Sequence, residues 1–337
     1  LTVDATGGAT FLPTLTATAV DGIGSIDVTT SGGALTLGDG TTAAGAGDAS
    51  IDITATGGLT TINTLSSDTT TGDASTTVTT DGGLTLLTSI TTNTLTGDAS
   101  LTVDATGGAT FLPTLTATAV DGIGSIDVTT SGGALTLGDG TTAAGAGDAS
   151  IDVAATGGLT MINTLSSDTT TGDASTSVTT NGGLVLVTSI TTNADTGDAS
   201  LTVQSAGGDT LLPLLMATAL GGGIGSIDVT TSGGALTLTT ATTMAGAGDA
   251  SIDVNANGGA TGIGELSATV SSGDGSISVD TSSALTLGTA TTLATSGDAQ
   301  IDVTGDGGDA AITTLSATAP TGNSSIFVDR DGGTLSV

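Results

Sequence analysis

The chain has 337 residues, a formal charge of −32, and no Cys, His, Trp or Tyr; Arg330 is its sole basic residue and Glu265 its sole glutamate. This inventory removes thiolate, imidazole and amine nucleophiles or bases and the His and Cys ligands of transition-metal sites. The acidic balance opposes nucleic acid and anionic membrane surfaces as partners, and strands rich in Thr, Val, Ile and Leu with a positive mean hydropathy argue against the disorder usual in acidic, low-aromatic chains.

In chain order, one pattern returns every 25 residues: Gly-Asp-Ala-Ser followed by an alternating apolar strand, as in Gly47-Asp48-Ala49-Ser50-Ile51-Asp52-Ile53. Copies stand at Gly72-Asp73, Gly97-Asp98, Gly147-Asp148, Gly172-Asp173 and Gly197-Asp198, and weaker ones at Gly248-Asp249, Gly273-Asp274 and Gly297-Asp298. A fixed period of this length marks a solenoid. Cut after each Ser25-type position, the chain gives thirteen turns and a fragment, beginning at Leu1, Ile26, Ile51, Thr76, Leu101, Ile126, Ile151, Thr176, Leu201, Ile227, Ile252, Ile277, Ile301 and Ile326. A second period of 100 residues divides it into 1–100, 101–200, a degenerate 201–300 and a partial 301–337. Residues 1–50 and 101–150 are identical, the mark of duplication from a parent with more copies. The whole of 1–337 therefore reads as a single continuous β-solenoid.

Each turn opens on a period-two strand, with Ala49, Ile51 and Ile53 facing the core and Ser50 and Asp52 facing solvent. Gly-Gly pairs such as Gly7-Gly8, Gly32-Gly33 and Gly57-Gly58 form a corner where positive φ or close backbone approach is expected. Leu12, Leu37, Ile62 and Leu87 form one inward file, and Leu15, Leu65 and Ile90 a second, broken by Gly40. Pro13, Pro113 and Pro213 recur every fourth turn, at a corner that tolerates a missing N–H. A Thr-rich strand, as in Leu15-Thr16-Ala17-Thr18-Ala19, returns the chain to Gly-Asp. The expected fold is all-β, a parallel β-solenoid of three short strands per turn with a roughly triangular cross-section. With turns about 4.8 Å apart, its length is about 65 Å. Few aliphatic side chains are buried per turn, so stability must come from stacking.

The Thr210–Ile227 stretch is uncharged but contains Pro213 and Gly221-Gly222-Gly223 and aligns with Thr10–Ile26, so it reads as another turn and not a membrane helix. Three Phe are too few for the aromatic girdles of a membrane barrel. No charged and apolar leader opens the sequence, so a secretory signal is expected outside this segment or removed.

The aspartate ladder, Asp48, Asp73, Asp98, Asp148, Asp173 and Asp198, admits two roles. Stacked carboxylates suit surface Ca²⁺; alternatively, each Asp caps its own corner through an Asx-turn. Turn capping is the favoured role, and no cofactor is required. Like charges about 4.8 Å apart repel by roughly 1 kcal/mol even in water. Asp27-Asp52, Asp127-Asp152 and Asp228-Asp253 pair on the outward face of the first strand. Paired carboxylates serve glycoside hydrolysis, but these recur with the period and have no aromatic platform beside them, so no enzyme activity is expected. Outward Thr14, Thr16, Thr18, Thr64, Ser66, Ser89 and Thr91 resemble ice-binding arrays, although Asp39, Asp68, Leu214 and Met216 interrupt them. Phe11, Phe111 and the Met residues are read as core fillers. Charge spaced along a rod at nearly the density of duplex DNA predicts counterion condensation and bundling by divalent cations.

The Gly-Asp-Ala-Ser-Ile-Asp-Val…Gly-Gly-Leu-Thr…Leu unit resembles the repeat regions of filamentous-haemagglutinin-like large bacterial exoproteins and autotransporter adhesins. The resemblance implies a secreted, cell-surface stalk or fibre. Its partners would be copies of itself, joined end to end or laterally, and divalent cations, with no nucleic acid and no membrane insertion. A period of 25 and the near absence of basic residues depart from that family's commonest repeat.

Overall fold

The computed structural model describes residues 1–337. The chain is all-β and parallel throughout, a β-solenoid of about 13 turns whose successive strands pair about 25 residues apart. It divides into two compact units, Leu1–Thr169 and Thr170–Val337. Each unit is built the same way: every turn contributes a short strand to one sheet and a long strand to the other, in sequence order.

The short strands, such as Gly24–Ser31 and Ala49–Thr56, follow the expected alternation. Ala49, Ile51 and Ile53 are fully buried while Asp52 faces solvent. Register is strict, with Ile26 opposite Ile51 and Val28 opposite Ile53 in unit 1, and Ile227 opposite Ile252 in unit 2. Inward side chains stacked in this way give each turn's buried face a partner above and below, and a one-residue slip would turn that face to solvent. The parallel ladder also satisfies the backbone polar groups that a single turn would leave unpaired.

The second and third expected strands run as one ten-residue strand, for example Leu35–Ala44. Its alternation slips once: Leu35 and Leu37 point inward, Gly38 and Asp39 both point outward, and Gly40, Thr42 and Ala44 point inward again. Register pairs Leu12 with Leu37 and Thr14 with Asp39, and the ladder skips Pro13 and Gly38 between them. Proline offers no N–H there, and a Cβ on Gly38 would lie 1.9 Å from the Pro13 carbonyl oxygen. The corner is thus a bend within a strand, set by a missing donor below and a missing side chain above.

At the Gly-Gly corner the two glycines have different tasks. Gly57 adopts φ +100°, open to glycine alone, whereas a Cβ on Gly33 would stand 1.8 Å from the Gly8 carbonyl oxygen. The fourth turn departs from its neighbours. Leu84 and Leu86 are buried and Leu87 is exposed, so the inward file runs through Leu86 and not the expected Leu87. A register shift between Ile62 and Thr64, opposite Leu86 to Ser89, restores the phase before Ile90. Phe11 and Phe111 are not core fillers, being 70 % and 45 % exposed, and Met161 and Met244 are exposed as well. They occupy the outward positions of their strands, where alternation prevails over side-chain hydrophobicity.

The core is also more polar than the aliphatic files suggest. Thr42, Ser67 and Thr92 are fully buried on the inward side of the long strands. Thr42 Oγ1 donates to Ser67 Oγ at 3.1 Å, which donates to the Ala49 carbonyl at 2.7 Å, and Thr92 Oγ1 donates to Thr76 Oγ1 at 3.2 Å. These hydroxyls join the long strand to the short one across the thin core.

Candidate functional site

The most regular polar feature is the Gly-Asp corner. Asp48 Oδ1 accepts the backbone N–H of Asp73 at 3.1 Å, Asp73 Oδ1 that of Asp98 at 3.0 Å, and Asp98 Oδ1 that of Ile123 at 2.9 Å. In unit 2, Asp173 accepts from Asp198 at 2.9 Å and Asp198 from Ile224 at 2.7 Å, and the series continues through Asp249, Asp274 and Asp298. The carboxylate therefore caps the next turn's corner and not its own, correcting the Asx-turn expectation. The exchange is reciprocal: the Asp73 and Asp98 carbonyls accept from the N–H groups of Ala49 and Ala74 in the preceding turns, and Gly124 N–H donates to the Asp148 carbonyl. Where the earlier corner carries an Asp, as at Asp48–Asp73 and Asp73–Asp98, two bonds running in opposite directions fasten the pair.

This geometry explains how the ladder tolerates its own charge. Each carboxylate faces an N–H dipole, a charge-assisted bond that offsets part of the repulsion. Where the row meets Ile123 or Ile224, the bond persists without a second carboxylate. Asp48, Asp73 and Asp98, with Ser50, Ser75 and Ser100, line an open groove bounded by Ile23 and Ile123. One oxygen of each carboxylate is committed to a turn bond, and a carboxylate has about four acceptor positions, so capacity for a cation remains. No cluster of three or more acidic side chains surrounds a common point.

On the short strands Asp27 and Asp52 stand in register on adjacent turns and point outward, as do Asp127 with Asp152 and Asp228 with Asp253. Desolvation, reinforced by the Asp27 charge, raises the Asp52 pKa. Near the last turns the opposite holds. Asn323 donates its backbone N–H and then its side-chain amide to Asp298, lowering that pKa, and Thr334 does the same for Asp309 through N–H and hydroxyl.

A second polar ladder, not foreseen from the sequence, lies along the long strands. Asn63 Nδ2 donates to Asp39 Oδ1 at 2.7 Å, Thr88 Oγ1 donates to Asn63 Oδ1 at 2.9 Å, and Asn93 Nδ2 donates to Asp68 Oδ1 at 2.7 Å. The 25-residue offset between Asp68 and Asn93 was the available signal. The outward hydroxyl file is continuous in unit 1, running Thr16, Thr41, Ser66, Thr91, Thr116, Thr141 and Ser166 in register. In unit 2, Met216 lies between Thr191 and Thr242.

No protein-family model, curated protein or solved structure matches this chain. No helix is long and apolar enough to cross a membrane.

Proposed function

We propose that the chain is a structural element of an extracellular bacterial fibre or adhesin stalk, acting by length and stiffness and not by catalysis. The observation that carries this reading is the Asp-to-N–H bond at successive Gly-Asp corners, repeated through Asp48, Asp73 and Asp98 and again from Asp173 onward. Chemistry usually needs one place unlike the rest of its fold, whereas the acidic pairs here recur with the turns. Copies of the chain are its partners in this reading. Its net charge of −32 makes divalent cations, Ca²⁺ above all, the agents that bring copies side by side.

Electron microscopy and light scattering across a CaCl₂ titration test this directly, with NaCl at matched ionic strength as control. Rigid rods that bundle with Ca²⁺ and disperse with chelator support it. Flexible or irregular particles whose scattering stays flat in both salts sink it.

The continuous file from Thr16 to Ser166 favours a second reading, a surface-binding face for ice or mineral. β-Branched hydroxyl residues also suit exposed strands for reasons of propensity alone. Thermal hysteresis from dispersed single chains decides for the second reading over the first.

A further inference from the structure

The chain contains the dipeptide Asn-Gly twice, at Asn181-Gly182 and Asn257-Gly258, and both stand at the entry to a Gly-Gly corner in unit 2. The two corners are built differently. Asn181 ends a strand whose ladder runs to its last residue, pairing Asn181 with Ala206, and the Gly182 N–H donates to the Ala206 carbonyl at 2.6 Å. The same bond recurs from Gly207 to Ser232 at 2.8 Å and from Gly233 to Asn257 at 3.0 Å. One turn further it is absent. The ladder between Ala250–Asn257 and Gly275–Thr281 stops at Ala256 and Thr281, and the Gly258 N–H has no hydrogen-bond partner.

The cause is one missing residue. The twelfth turn carries Ser282-Ser283 where the tenth carries Ser232-Gly233-Gly234. The Ser282 N–H turns back to the Ala256 carbonyl at 3.1 Å, and Ser283 Oγ donates to the Gly259 carbonyl. Neither contact reaches the Gly258 N–H. Asn257 and Gly258 are both exposed, and the Asn257 side chain is held only by Nδ2, which donates to Asn255 Oδ1 at 2.7 Å.

We propose that Asn257-Gly258 is a site of spontaneous covalent modification, and that Asn181-Gly182 is protected by its corner. The Gly258 nitrogen loses its proton to solvent base and attacks Asn257 Cγ. The bond from Cγ to Nδ2 breaks, ammonia leaves with a proton taken from water, and a cyclic succinimide remains. Water then adds to either ring carbonyl, giving an aspartyl or an isoaspartyl linkage. A paired N–H is shielded from base until its hydrogen bond opens, and glycine, without a Cβ, leaves the nitrogen approachable. The aspartyl product suits the fold, because Asp81, Asp306 and Asp331 hold the same place in their turns. The isoaspartyl product adds a methylene to the backbone and works against the register of Ser232 with Asn257. The proposal rests on the two corners alone and is independent of the fibre reading.

The full chain is incubated at neutral pH, sampled over time and digested with an endoprotease that cleaves before aspartate. The amide-to-acid mass gain, located by fragment spectra, reports conversion at each Asn. New cleavage before position 257 reports the aspartyl product, and methylation by an isoaspartyl methyltransferase the other. Asn257 should convert at least about fivefold faster than Asn181, the factor that one hydrogen bond protects. In denaturant, where neither corner exists, the two should convert at like rates. Inserting one glycine between Ser282 and Ser283 restores the length of the turn and should slow Asn257 to the Asn181 rate. The comparison with Asn181 is made in the parent chain, so it stands whether or not the insertion folds. Asn181 converting as fast as Asn257 in the folded chain overturns the proposal, and so does a folded insertion variant in which Asn257 converts as fast as before. A rate difference that persists unchanged in denaturant also overturns it, by placing the cause in the flanking residues and not in the corner.

Discussion

Arg330 Nη1 donates to Thr281 Oγ1 at 2.6 Å, across two turns of the solenoid. Arg330 takes an inward position in register with Gly305, and its guanidinium passes over that glycine to reach the turn beyond. Nη1 also meets the Thr281 and Thr304 carbonyls, and Nη2 those of Ser283 and Gly307. The sole basic residue of a strongly acidic chain is thus spent on carbonyl oxygens inside a corner. A Cβ on Gly305 would lie 2.1 Å from Nη1 and 2.1 Å from the Thr281 carbonyl oxygen.

Gly305→Ala should therefore displace the guanidinium and loosen the last turns. The lost charge-assisted bonds correspond to about 2 kcal/mol of local stability, or roughly thirtyfold in the open population. Trypsin reads this without interference, because Arg330 is the one residue it can cleave after. Cleavage should be slow in the parent and faster by that factor in the variant. Equal rates would show that the guanidinium does not hold the corner.

Acid should weaken the same region. Hydrogen bonds from Asn323 and Thr334 lower the pKa values of Asp298 and Asp309 from the ordinary 3.8. A carboxylate with a depressed folded pKa contributes stability that is present above its unfolded value and lost as pH falls through the folded one. Amide exchange, followed from pH 6 to pH 2 by NMR and corrected for its intrinsic pH dependence, should show Asn323 and Thr334 losing protection below about pH 4. Asp52 runs the other way. Its raised pKa means stability declines as pH rises from the unfolded value through the folded one. Asp27→Asn should bring that pKa down only part-way, since desolvation outranks the Asp27 charge.

The corner bond separates charge from hydrogen bonding. Asp98→Asn keeps an acceptor for the Ile123 N–H, while Asp98→Ala removes it. The Ala variant should lose about 1 kcal/mol by denaturant titration. The Asn variant should lose less, and its deficit should shrink further at low salt, where relief of repulsion is greatest. Should both variants lose the same amount, the acceptor is not what holds adjacent corners together.

Period, strand character and the inward set Ala49, Ile51, Ile53 were legible because alternation and repetition are local properties of sequence. The bend at Gly38 was harder to read, since its cause is a carbonyl one turn away. Leu87 was misplaced for the same reason: a shift inside one turn leaves the 25-residue spacing intact. Phe11 was misjudged where side-chain hydrophobicity was weighed above strand parity. For the Asp ladder the residues were visible and the direction was not. An Asx-turn and an inter-turn bond need the same residue at the same spacing, and only the stacked neighbour tells them apart.

Thr110 shows what that stacking leaves unresolved. It is buried at 1 % exposure, and its hydroxyl has no hydrogen-bond partner, whereas Thr210 at the same place in its turn donates to Ser205 Oγ at 2.9 Å. The corresponding residue of the eighth turn is Val185, fully buried at an inward position of its strand. An unpartnered buried hydroxyl costs about 1–3 kcal/mol, and valine has the same branched shape without the polar atom. Thr110→Val should accordingly stabilise the chain by about 1 kcal/mol, while Thr210→Val should be neutral or destabilising because it strands Ser205. Denaturant midpoints of the two variants, compared with the parent, check both signs at once. A loss of stability in Thr110→Val would mean that its hydroxyl finds a partner after all.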